Sequence, residues 1–554
     1  MKMDSFAEKT ARDRARSLLD AGTFRELLDP FARLESPHLP VQEIVPQSDD
    51  GVVIARGKIG DKNALVLSLE GGFQGGSVGE VNGAKIAGAL ELALRDAREG
   101  KLIFPVLIFD TGGIRLQEAN LGLLAISEIH SAIVALREFV PVIGVIAGRV
   151  GCFGGMAIAA ALCTFLIGSE VGRLGLNGPE VIEQEAGTDE FDAHDRVLIW
   201  QTLGCRRRLA MGQIDLLVDD SVDAIKEAIV TRINIGVTEK QHGMVQRTRD
   251  IAEQTQKIQN HSTPHLKPDA AMTGFSGRGR RWYNALTENA AENTAKNGSE
   301  NAEGKSILAG DAQWGTETIR AMSVVPNPLS RFPRARQGQM GVEEGWGIAR
   351  AIWGAIDSDN PPGKIKRAIV AIVDVPGQAF GLHEEQIGIH LALAAAVDAY
   401  IAARALGHPV VALIVGKAIS GAFLAHGLQA SEILALDDAA VEIHVMSEAS
   451  VSRVTRRSLR EVAALAQIAP STARDVHSFA GLGGVNRLLK VHDANEPDTH
   501  SVEEVRNEIL QAIQRARADA KSPRARLDSP AGRASRTMSR EVRRMLESQW
   551  SMEP

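Results

Sequence analysis

Short continuous apolar runs alternate along this chain with longer stretches in which small and apolar residues follow helical spacing. Two such runs, 105–109 and 142–146, lie in the first half of the chain, and two more, 368–373 and 410–415, lie in the second. Runs of Val and Ile without polar alternation are typical of parallel strands buried on both faces. Strands that alternate with helices predict an α/β fold with mainly parallel pairing.

The same polar and glycine positions follow these runs in both halves. Asp110 ends one run and precedes Gly112 and Gly113, and Asp374 ends its counterpart and precedes Gly377. In each half, the next run leads into a glycine-rich turn. A further glycine-rich segment lies upstream in each half, and the copies in the two halves are separated by nearly the same number of residues. The turns are 148–155 and 416–422, and the upstream segments are 75–80 and 338–345. With only two copies, the pattern predicts two related α/β domains in tandem rather than a solenoid.

The limits of the two domains follow from composition. We expect the first domain over 1–236 and the second over 309–514, with a linker and the start of the second lobe between them, over 237–308. Asn, Glu, Ala and Lys dominate 289–305, which lacks apolar periodicity, as is typical of a solvated linker. Ten Arg or Lys stand against five Asp or Glu in 515–554, which predicts a basic tail that is solvated or contacts a partner.

Composition excludes several classes of protein. The 554 residues carry a net charge of −7, which gives no general case for binding nucleic acid. The three cysteines have no metal-type spacing, which suits a reducing compartment. The first twenty residues lack the apolar core of a signal peptide, and the apolar stretch 156–167 is too short to span a bilayer. We therefore expect a cytoplasmic protein that binds neither nucleic acid nor membrane.

Each glycine-rich turn lies between an apolar strand and a small-residue helix. Glycine allows backbone N–H groups to crowd an incoming oxygen, and the helix points the positive end of its dipole at the same place. This arrangement is suited to stabilising an oxyanion without a nucleophilic side chain. A phosphate-binding or tight-packing turn is the alternative, although neither a Gly-x-Gly-x-x-Gly nor a Walker lysine motif is present. The duplication favours the oxyanion interpretation.

Other candidate groups have two interpretations each. Asp110 could orient backbone amides of the site or could simply form a turn. Lys85, Arg115 and Arg149 could attract an anionic substrate or could be surface charges. His383 and His390 lie seven residues apart with no third ligand nearby, so we predict no metal site.

The motifs together resemble a known family. The stretches 75–79 (GGSVG), 110–118 (DTGGIRLQE), 151–155 (GCFGG) and 416–422 (GKAISGA) resemble stations of the carboxyltransferase branch of the crotonase superfamily. More narrowly, one set of segments is similar to the β subunit of biotin-independent malonate decarboxylase and a second set to its γ subunit. The β-like segments are 22–30, 176–182 and 190–192, and the γ-like segments are 327–336, 374–378 and 415–427.

The resemblance covers most of 10–235 and 275–515 and departs from the family in two ways. Two normally separate subunits are joined in one polypeptide. The segment 204–208 reads GCRRR, where a second glycine followed by lysine and histidine is expected. The lysine and histidine that the family pattern has there are therefore absent.

The resemblance implies tandem crotonase-like domains that decarboxylate a malonyl thioester on an acyl carrier protein, giving acetyl thioester and carbon dioxide. Backbone N–H groups would stabilise the enolate oxygen. It implies that Gly75, Gly76, Gly154 and Gly155 hold the thioester carbonyl, that Gly421 and Ala422 face the departing carboxylate, and that Gly112, Gly113, Arg115 and Lys417 bind substrate. Water, His426 or Lys417 would supply the proton.

The resemblance also implies partners. The chain itself would bind no cofactor, because the substrate is carried on the phosphopantetheine-type prosthetic group of the acyl carrier protein subunit. An acyl-carrier transferase subunit and further self-association are implied as well. Two alternatives stay open: the carboxyltransferase component of a biotin-dependent malonate decarboxylase, and a non-catalytic scaffold that docks the carrier. The glycines of both turns argue against the scaffold, which would not need crowded backbone there.

Overall fold

The computed structural model describes residues 5–237, 245–258, 277–287, 306–361, 363–519 and 521–551. Its strands are β1 (Arg25–Leu27), β2 (Val52–Ile59), β3 (Lys62–Leu69), β4 (Phe104–Phe109), β5 (Ile143–Ile146), β6 (Phe165–Ser169), β7 (Leu216–Val218), β8 (Ile307–Trp314), β9 (Glu317–Val324), β10 (Ala368–Val375), β11 (Val410–Ile419), β12 (Glu432–Leu436), β13 (Glu442–His444) and β14 (Arg487–Leu489).

The helices connect these strands on both faces of two sheets. They are α1 (Ala11–Leu18), α2 (Glu80–Arg98), α3 (Ala119–Leu136), α4 (Gly155–Leu162), α5 (Pro179–Ala186), α6 (Arg196–Leu203), α7 (Cys205–Ala210), α8 (Val222–Ile235), α9 (Gln246–Ile258), α10 (Arg278–Thr287), α11 (Val342–Ser358), α12 (Leu382–Ile387), α13 (Ile389–Ala405), α14 (Ser420–Ala425), α15 (Glu448–Thr455), α16 (Leu459–Ile468), α17 (Val476–Gly481), α18 (Thr499–Ala518), α19 (Pro530–Ser535) and α20 (Thr537–Trp550).

The two sheets have the same plan. In the N-terminal lobe (5–258) the strand order is β1 to β7, with antiparallel pairing among β1, β2 and β3 and parallel pairing from β3 onward. In the C-terminal lobe (277–519) an antiparallel β8–β9 pair continues into parallel β10, β11, β12 and β14, and β13 pairs with the end of β11. The predicted α/β fold of two related domains is confirmed.

The continuous apolar runs occupy the central strands, as the sequence predicts. All eight residues of β10 are buried, because helices cover both of its faces. The equivalent helices α2 and α11 begin in the same way at Gly79 and Gly341. In each, the side chain three residues on, Asn82 or Glu344, accepts a hydrogen bond from the N–H of that glycine, at 2.8 and 2.9 Å. The duplication therefore extends to the way the helices are capped.

The two lobes share one apolar core. Ile126 of α3, Met156 of α4 and Leu424 of α14 belong to a single cluster of buried side chains. Buried polar contacts cross the same interface, since the Arg137 guanidinium donates to both carboxylate oxygens of Asp398 at 2.8 and 2.9 Å. Helix α3, with the residues just before it (Leu116–Leu136), is long and apolar enough to span a membrane, but 94% of its apolar window is buried here as a core helix.

The basic tail is not the solvated extension that its composition predicts. The C-terminal segment (521–551) returns to the N-terminal lobe, where Arg536 and Arg543 donate to the buried carboxylate of Glu128 at 2.8 and 2.6 Å. Burial by itself would raise the pKa of Glu128, but the two arginines hold it below its ordinary value. The indole N–H of Trp550 donates to Asp96 at 2.7 Å. The arginines of this segment thus form ion pairs with acidic side chains that lie more than four hundred residues earlier in the chain.

Candidate active site between the two lobes

Each central parallel strand ends in an aspartate that holds the next turn in place. The carboxylate of Asp110 accepts from the Val150 N–H at 2.8 Å, and that of Asp374 accepts from the Lys417 N–H at 3.0 Å. A Cβ atom at Gly148 would lie 2.0 Å from the Asp110 carboxyl carbon, and one at Gly416 would lie 2.2 Å from an Asp374 oxygen. These two glycines are therefore required by close packing. The interpretation of Asp110 as an orienting group agrees with this geometry.

Four predicted glycines form an open backbone surface in the N-terminal lobe. The Gly112 N–H donates to the Gly75 carbonyl at 2.8 Å, and the Cα of Gly113 lies 3.2 Å from where a Cβ of Gly154 would stand. Gly75 has a φ of +63° and Gly154 a φ of +60°, so both adopt a conformation that favours glycine. A Cβ at Gly75 would meet nothing within 4 Å. We call Gly75, Gly112, Gly113 and Gly154 the glycine cradle.

The other glycines of this site have packing roles as well. The Gly76 N–H donates to the Phe73 carbonyl at 2.9 Å, and a Cβ at Gly76 would lie 1.9 Å from the Asp110 carbonyl oxygen. The Gly154 N–H donates to the Leu176 carbonyl at 2.8 Å. Neither amide is therefore available to a substrate oxygen. Gly76 and Gly154 shape the cradle, and a donor to any oxygen bound there would have to come from a neighbouring residue.

Gly155 is placed to be that donor. It is the first residue of α4, and no acceptor for its N–H is found within the described part of the chain. Its carbonyl accepts from the ring of His130, with 2.9 Å between the oxygen and Nε2. A Cβ at Gly155 would lie 2.7 Å from the Leu424 side chain of the other lobe. The N-terminus of α4 thus offers a backbone donor beside the cradle, at the contact between the lobes.

The second turn repeats this plan with one change. Ser420 occupies the position that corresponds to Gly154 and has a φ of +56°, which is strained for a residue with a side chain. The Gly421 N–H donates to the side-chain oxygen of Gln378 at 3.2 Å. The Ala422 N–H, one residue further, has no acceptor among the residues that the structure describes.

A polar seam joins the two turns. Gln378 receives the Gly421 N–H and donates from its amide to the Asn177 side chain at 3.0 Å. Asn177 in turn follows Leu176, whose carbonyl holds Gly154. The Glu385 carboxylate accepts from the N–H groups of Asn177 and Leu176 at 2.6 and 3.2 Å. The seam (Leu176, Asn177, Gln378, Glu385 and Gly421) therefore fixes the first turn relative to the second.

The unusual segment 204–208 supports this seam. Arg208 is completely buried and donates to the Glu385 carboxylate at 3.2 Å and to the Leu174 carbonyl at 2.8 Å. The charge of Arg208 is thus paired across the lobes. Its position gives the departure from the family pattern a structural role.

Two predicted side chains do not contribute to the site in the expected way. Arg115 is buried away from any substrate, since its guanidinium donates to Asp50 at 2.7 Å and to Glu118 at 2.9 Å. The ring of His426 is fully buried, with Nδ1 2.9 Å from the Tyr400 hydroxyl and Nε2 3.2 Å from the Ile372 carbonyl. Burial lowers the pKa of His426 to about 4. Both ring nitrogens are occupied, so His426 is poorly placed to protonate a substrate.

The three lysine and arginine candidates Lys417, Lys85 and Arg149 differ in how far they are buried. Lys417 is half-buried at the second turn, where its backbone N–H is held by Asp374. Lys85 is buried and donates to three backbone carbonyls, including that of Val52 at 2.8 Å, and burial lowers its pKa to about 8. Arg149 is exposed beside Glu8. Within the described ranges, no group of three or more His, Cys, Asp and Glu side chains is placed to hold a metal ion.

Sequence reasoning missed two buried carboxyl groups near the seam. Glu344, at the start of α11, and Glu384, in α12, are each almost fully buried, and each has one carboxyl oxygen without a hydrogen-bond partner. Burial raises the pKa of both to about 7, and the negative charges of Glu190 and Glu344 add to the effect for Glu384. A signal for Glu344 does exist in the sequence, because it stands where the first repeat has Asn82.

Comparison with known proteins agrees with the geometry. The carboxyl transferase domain family matches residues 5–271, and the family of the malonate decarboxylase gamma subunit matches residues 335–550. The two lobes thus have the domains of the carboxyltransferase family, with paired turns joined by the seam.

Individual relatives narrow the class. The malonyl-S-ACP:biotin-protein carboxyltransferase MADC of Malonomonas rubra is 47% identical over 233 residues, which are 40% of this chain and 73% of the relative. MADD of the same organism is 36% identical over 229 residues, 40% of this chain and 78% of the relative. A crystal structure of a Pseudomonas malonate decarboxylase hetero-tetramer in complex with malonate contains a chain that is 50% identical. That match covers 48% of this chain and 95% of the other, with a TM-score of 0.46. This chain belongs to the carboxyltransferase family of malonate decarboxylase subunits.

Proposed function

We propose that this chain decarboxylates a malonyl group carried as a thioester on an acyl carrier protein. The bond between the carboxylate carbon and the α-carbon breaks, carbon dioxide leaves, and the bonding electrons form a thioester enolate. The α-carbon then takes up a proton to give the acetyl thioester. The chain's own contribution is to stabilise the enolate and to position the carboxylate.

The observation that carries this proposal is the unpartnered N–H of Gly155 beside the open glycine cradle. A thioester oxygen on the cradle would accept from that N–H at the positive end of α4. A backbone donor of this kind is worth roughly 2.7–4 kcal/mol of transition-state stabilisation in comparable sites. The Ala422 N–H of the second turn would face the carboxylate before it leaves, while Gly421 is held by Gln378.

The proton donor follows from the same surroundings. His426 is occupied on both nitrogens, so water or Lys417 at the second turn remains from the sequence-based candidates. Glu384 is a further candidate, because burial raises its pKa to about 7 and one of its oxygens is unpartnered. A carboxyl group with this pKa can hold a proton near neutral pH and release it to a carbanion. Glu384→Gln would remove that proton and leave the volume unchanged.

The acyl carrier protein would be an obligatory partner. Its phosphopantetheine-type prosthetic group would carry the substrate, and an acyl-carrier transferase subunit would load it. The Pseudomonas malonate decarboxylase named above is a hetero-tetramer, which supports assembly of this chain with further subunits. No resident cofactor is needed for the step that we propose.

The second candidate is transfer of the carboxylate to biotin. The 47% identity to a malonyl-S-ACP:biotin-protein carboxyltransferase favours it, because the substrate of that relative is the same thioester. Both reactions require the same enolate and the same cradle. They differ only in whether carbon dioxide is released or captured by biotin.

One assay separates the two candidates. Purified protein is mixed with malonyl carrier protein, and carbon dioxide release is measured with and without a biotinylated carrier, avidin or EDTA. We expect release without biotin, no effect of avidin or EDTA, and no turnover of free malonate by this chain alone, because its decarboxylation would create a dianion. Strict dependence on the biotinylated carrier would replace decarboxylation by carboxyl transfer. If the protein shows no turnover under any of these conditions, the non-catalytic scaffold that docks the carrier is the remaining hypothesis.

A further inference from the structure

Two short helices at the surface of the C-terminal lobe are unusually poorly buried. Helices α15 and α16 form a hairpin (448–468) in which no residue of α16 is buried. Val454, Leu459 and Ile468 are exposed by 53%, 54% and 63% of their surface. Exposed apolar side chains grouped on one element are typical of a surface that another molecule covers.

The hairpin is also basic. Arg453, Arg456 and Arg460 are exposed and Arg457 is half-buried, against the two acidic residues Glu448 and Glu461. The chain as a whole has a net charge of −7, so this surface differs in sign from the protein that carries it. Apolar side chains among arginines suit a partner with an acidic helical surface.

A small cavity of about 60 Å³ lies beneath the hairpin. Val462 and Leu465 of the hairpin form one wall, Leu116 and Ala119 of the N-terminal lobe form another, and Met446 closes a third side. The lining is therefore largely apolar and comes from both lobes.

The residues that line this cavity are connected to the loop of the cradle and to the strand that precedes the second turn. Leu116 follows the cradle residue Gly113 by three positions on the same loop. On the other side, His444 lines the cavity and pairs in the sheet with Ile419, the residue before Ser420. An extended chain that entered under the hairpin would therefore approach the seam.

The hairpin, which belongs to the C-terminal lobe, is fixed to the N-terminal lobe by hydrogen bonds. Arg457 donates to the side-chain oxygen and the carbonyl of Gln42 at 3.1 and 2.5 Å. Glu185 of the N-terminal lobe accepts from Ser447, just before α15, at 3.3 Å. The hairpin is thus held in place over the cavity before any partner binds, which lowers the ordering cost of docking.

We propose that the 448–468 hairpin is the docking surface for the acidic acyl carrier protein and that the thioester arm enters beneath it, where the small cavity marks the gap between the hairpin and the N-terminal lobe. This inference rests on the proposed function, since it concerns delivery of the same substrate. The arginines attract the body of the carrier, and Val454 and Leu459 contact its apolar surface. The apolar cavity then guides the arm to the cradle.

Charge reversal tests the docking surface. In the triple variant Arg453→Glu, Arg456→Glu, Arg460→Glu we expect kcat/KM for malonyl carrier protein to fall at least tenfold and to lose most of its dependence on salt. The rate with malonyl-N-acetylcysteamine, which has no carrier protein, should stay within twofold of wild type. The matched control reverses three exposed arginines elsewhere, Arg98, Arg350 and Arg533, and should leave both rates unchanged.

The outcomes are distinct. Equal carrier kinetics in the triple variant and wild type would overturn the docking surface while leaving decarboxylation in place. A wild-type protein that turns over neither substrate would instead refute the proposed function. A change of oligomeric state in sedimentation with unchanged carrier kinetics would assign the hairpin to self-association, against the proposal.

A second pair of variants tests the cavity. Ala466 lines it, whereas Ala464 on the same helix is exposed and does not. Ala466→Trp should reduce turnover of both malonyl carrier protein and malonyl-pantetheine at least fivefold, because the ring fills the space that the arm needs. Ala464→Trp should leave both rates unchanged, and equal effects of the two variants would refute the cavity as the route of the arm.

Discussion

Replacement of Glu344 by glutamine is expected to stabilise the protein in a pH-dependent way. Glu344 is buried at the start of α11, where its carboxyl accepts from the Gly341 N–H, and burial raises its pKa from 4.5 to about 7. In the first repeat the same position is filled by Asn82, an amide that accepts from Gly79 in the same way. An uncharged side chain thus satisfies this cap, and Glu344→Gln should preserve it.

The magnitude follows from the two pKa values. Each pKa unit corresponds to about 1.4 kcal/mol, so the change from 4.5 to about 7 corresponds to about 3 kcal/mol. Below pH 4.5 the carboxyl is protonated in both the folded and the unfolded protein, and it costs no stability. As the pH rises to 7 the unfolded chain loses this proton first, so the free energy of unfolding falls. The full loss is present above pH 7.

Urea unfolding followed by circular dichroism between pH 4.5 and 8 measures this effect. The difference in unfolding free energy between Glu344→Gln and wild type should be smallest at pH 4.5 and grow by about 2–3 kcal/mol toward pH 8. Glu461→Gln is the matched control, because Glu461 caps α16 from an exposed position and its pKa is lowered by hydrogen bonds from Ser458. That control should gain no stability at pH 8. A difference for Glu344→Gln that does not change with pH would refute the reasoning.

Three further predictions concern the cradle, the seam and the linker. Gly75→Ala and Gly100→Ala should each lose about 1 kcal/mol of stability, because both glycines have positive φ and open space around them, but only Gly75→Ala should slow decarboxylation. Equal rates would remove the cradle from the mechanism. Gln378→Ala and Gln429→Ala both remove a buried amide that bonds across the lobes, at a cost of about 1–3 kcal/mol in thermal or urea unfolding, yet only Gln378→Ala should lower kcat. Mild proteolysis should cut within 286–305, where all residues after 287 lie outside the described ranges, and the fragments should co-elute in gel filtration. Fragments that separate under native conditions would contradict the shared core.

The sequence predicted much of the fold because its signals are local. The buried strands are recognisable in the sequence as uninterrupted apolar runs, and Asp110 and Asp374 mark their ends. Because the domain is duplicated, each motif of the first half can be compared with its counterpart in the second half. The structure gives Gly75 and Gly154 of the predicted set a positive φ, a conformation that favours glycine, while their role toward a substrate stays a prediction.

The contributions of charged and polar side chains could not be predicted in this way. Arg115 is bound by Asp50, and the ring of His426 by Tyr400, through contacts that join distant parts of the chain. The same holds for the tail, whose Arg543 finds Glu128. A formal charge in a sequence does not reveal which of many acids will neutralise it. Whether a backbone N–H has an acceptor also depends on the tertiary structure. The N–H of Gly154 has an acceptor in the Leu176 carbonyl, whereas that of Gly155 has none among the described residues.

The return of the C-terminal segment to the N-terminal lobe changes the physics of assembly. Arg56, in β2, donates to the carbonyl of Trp550 at 2.5 Å, so the end of the described chain is anchored near the second strand of the molecule. The two lobes are joined by the linker and by the C-terminal segment. Each lobe therefore meets the other as part of the same molecule, at an effective concentration on the order of millimolar. Formation of the seam is then a unimolecular event, insensitive to dilution, and the two turns are always supplied in equal number.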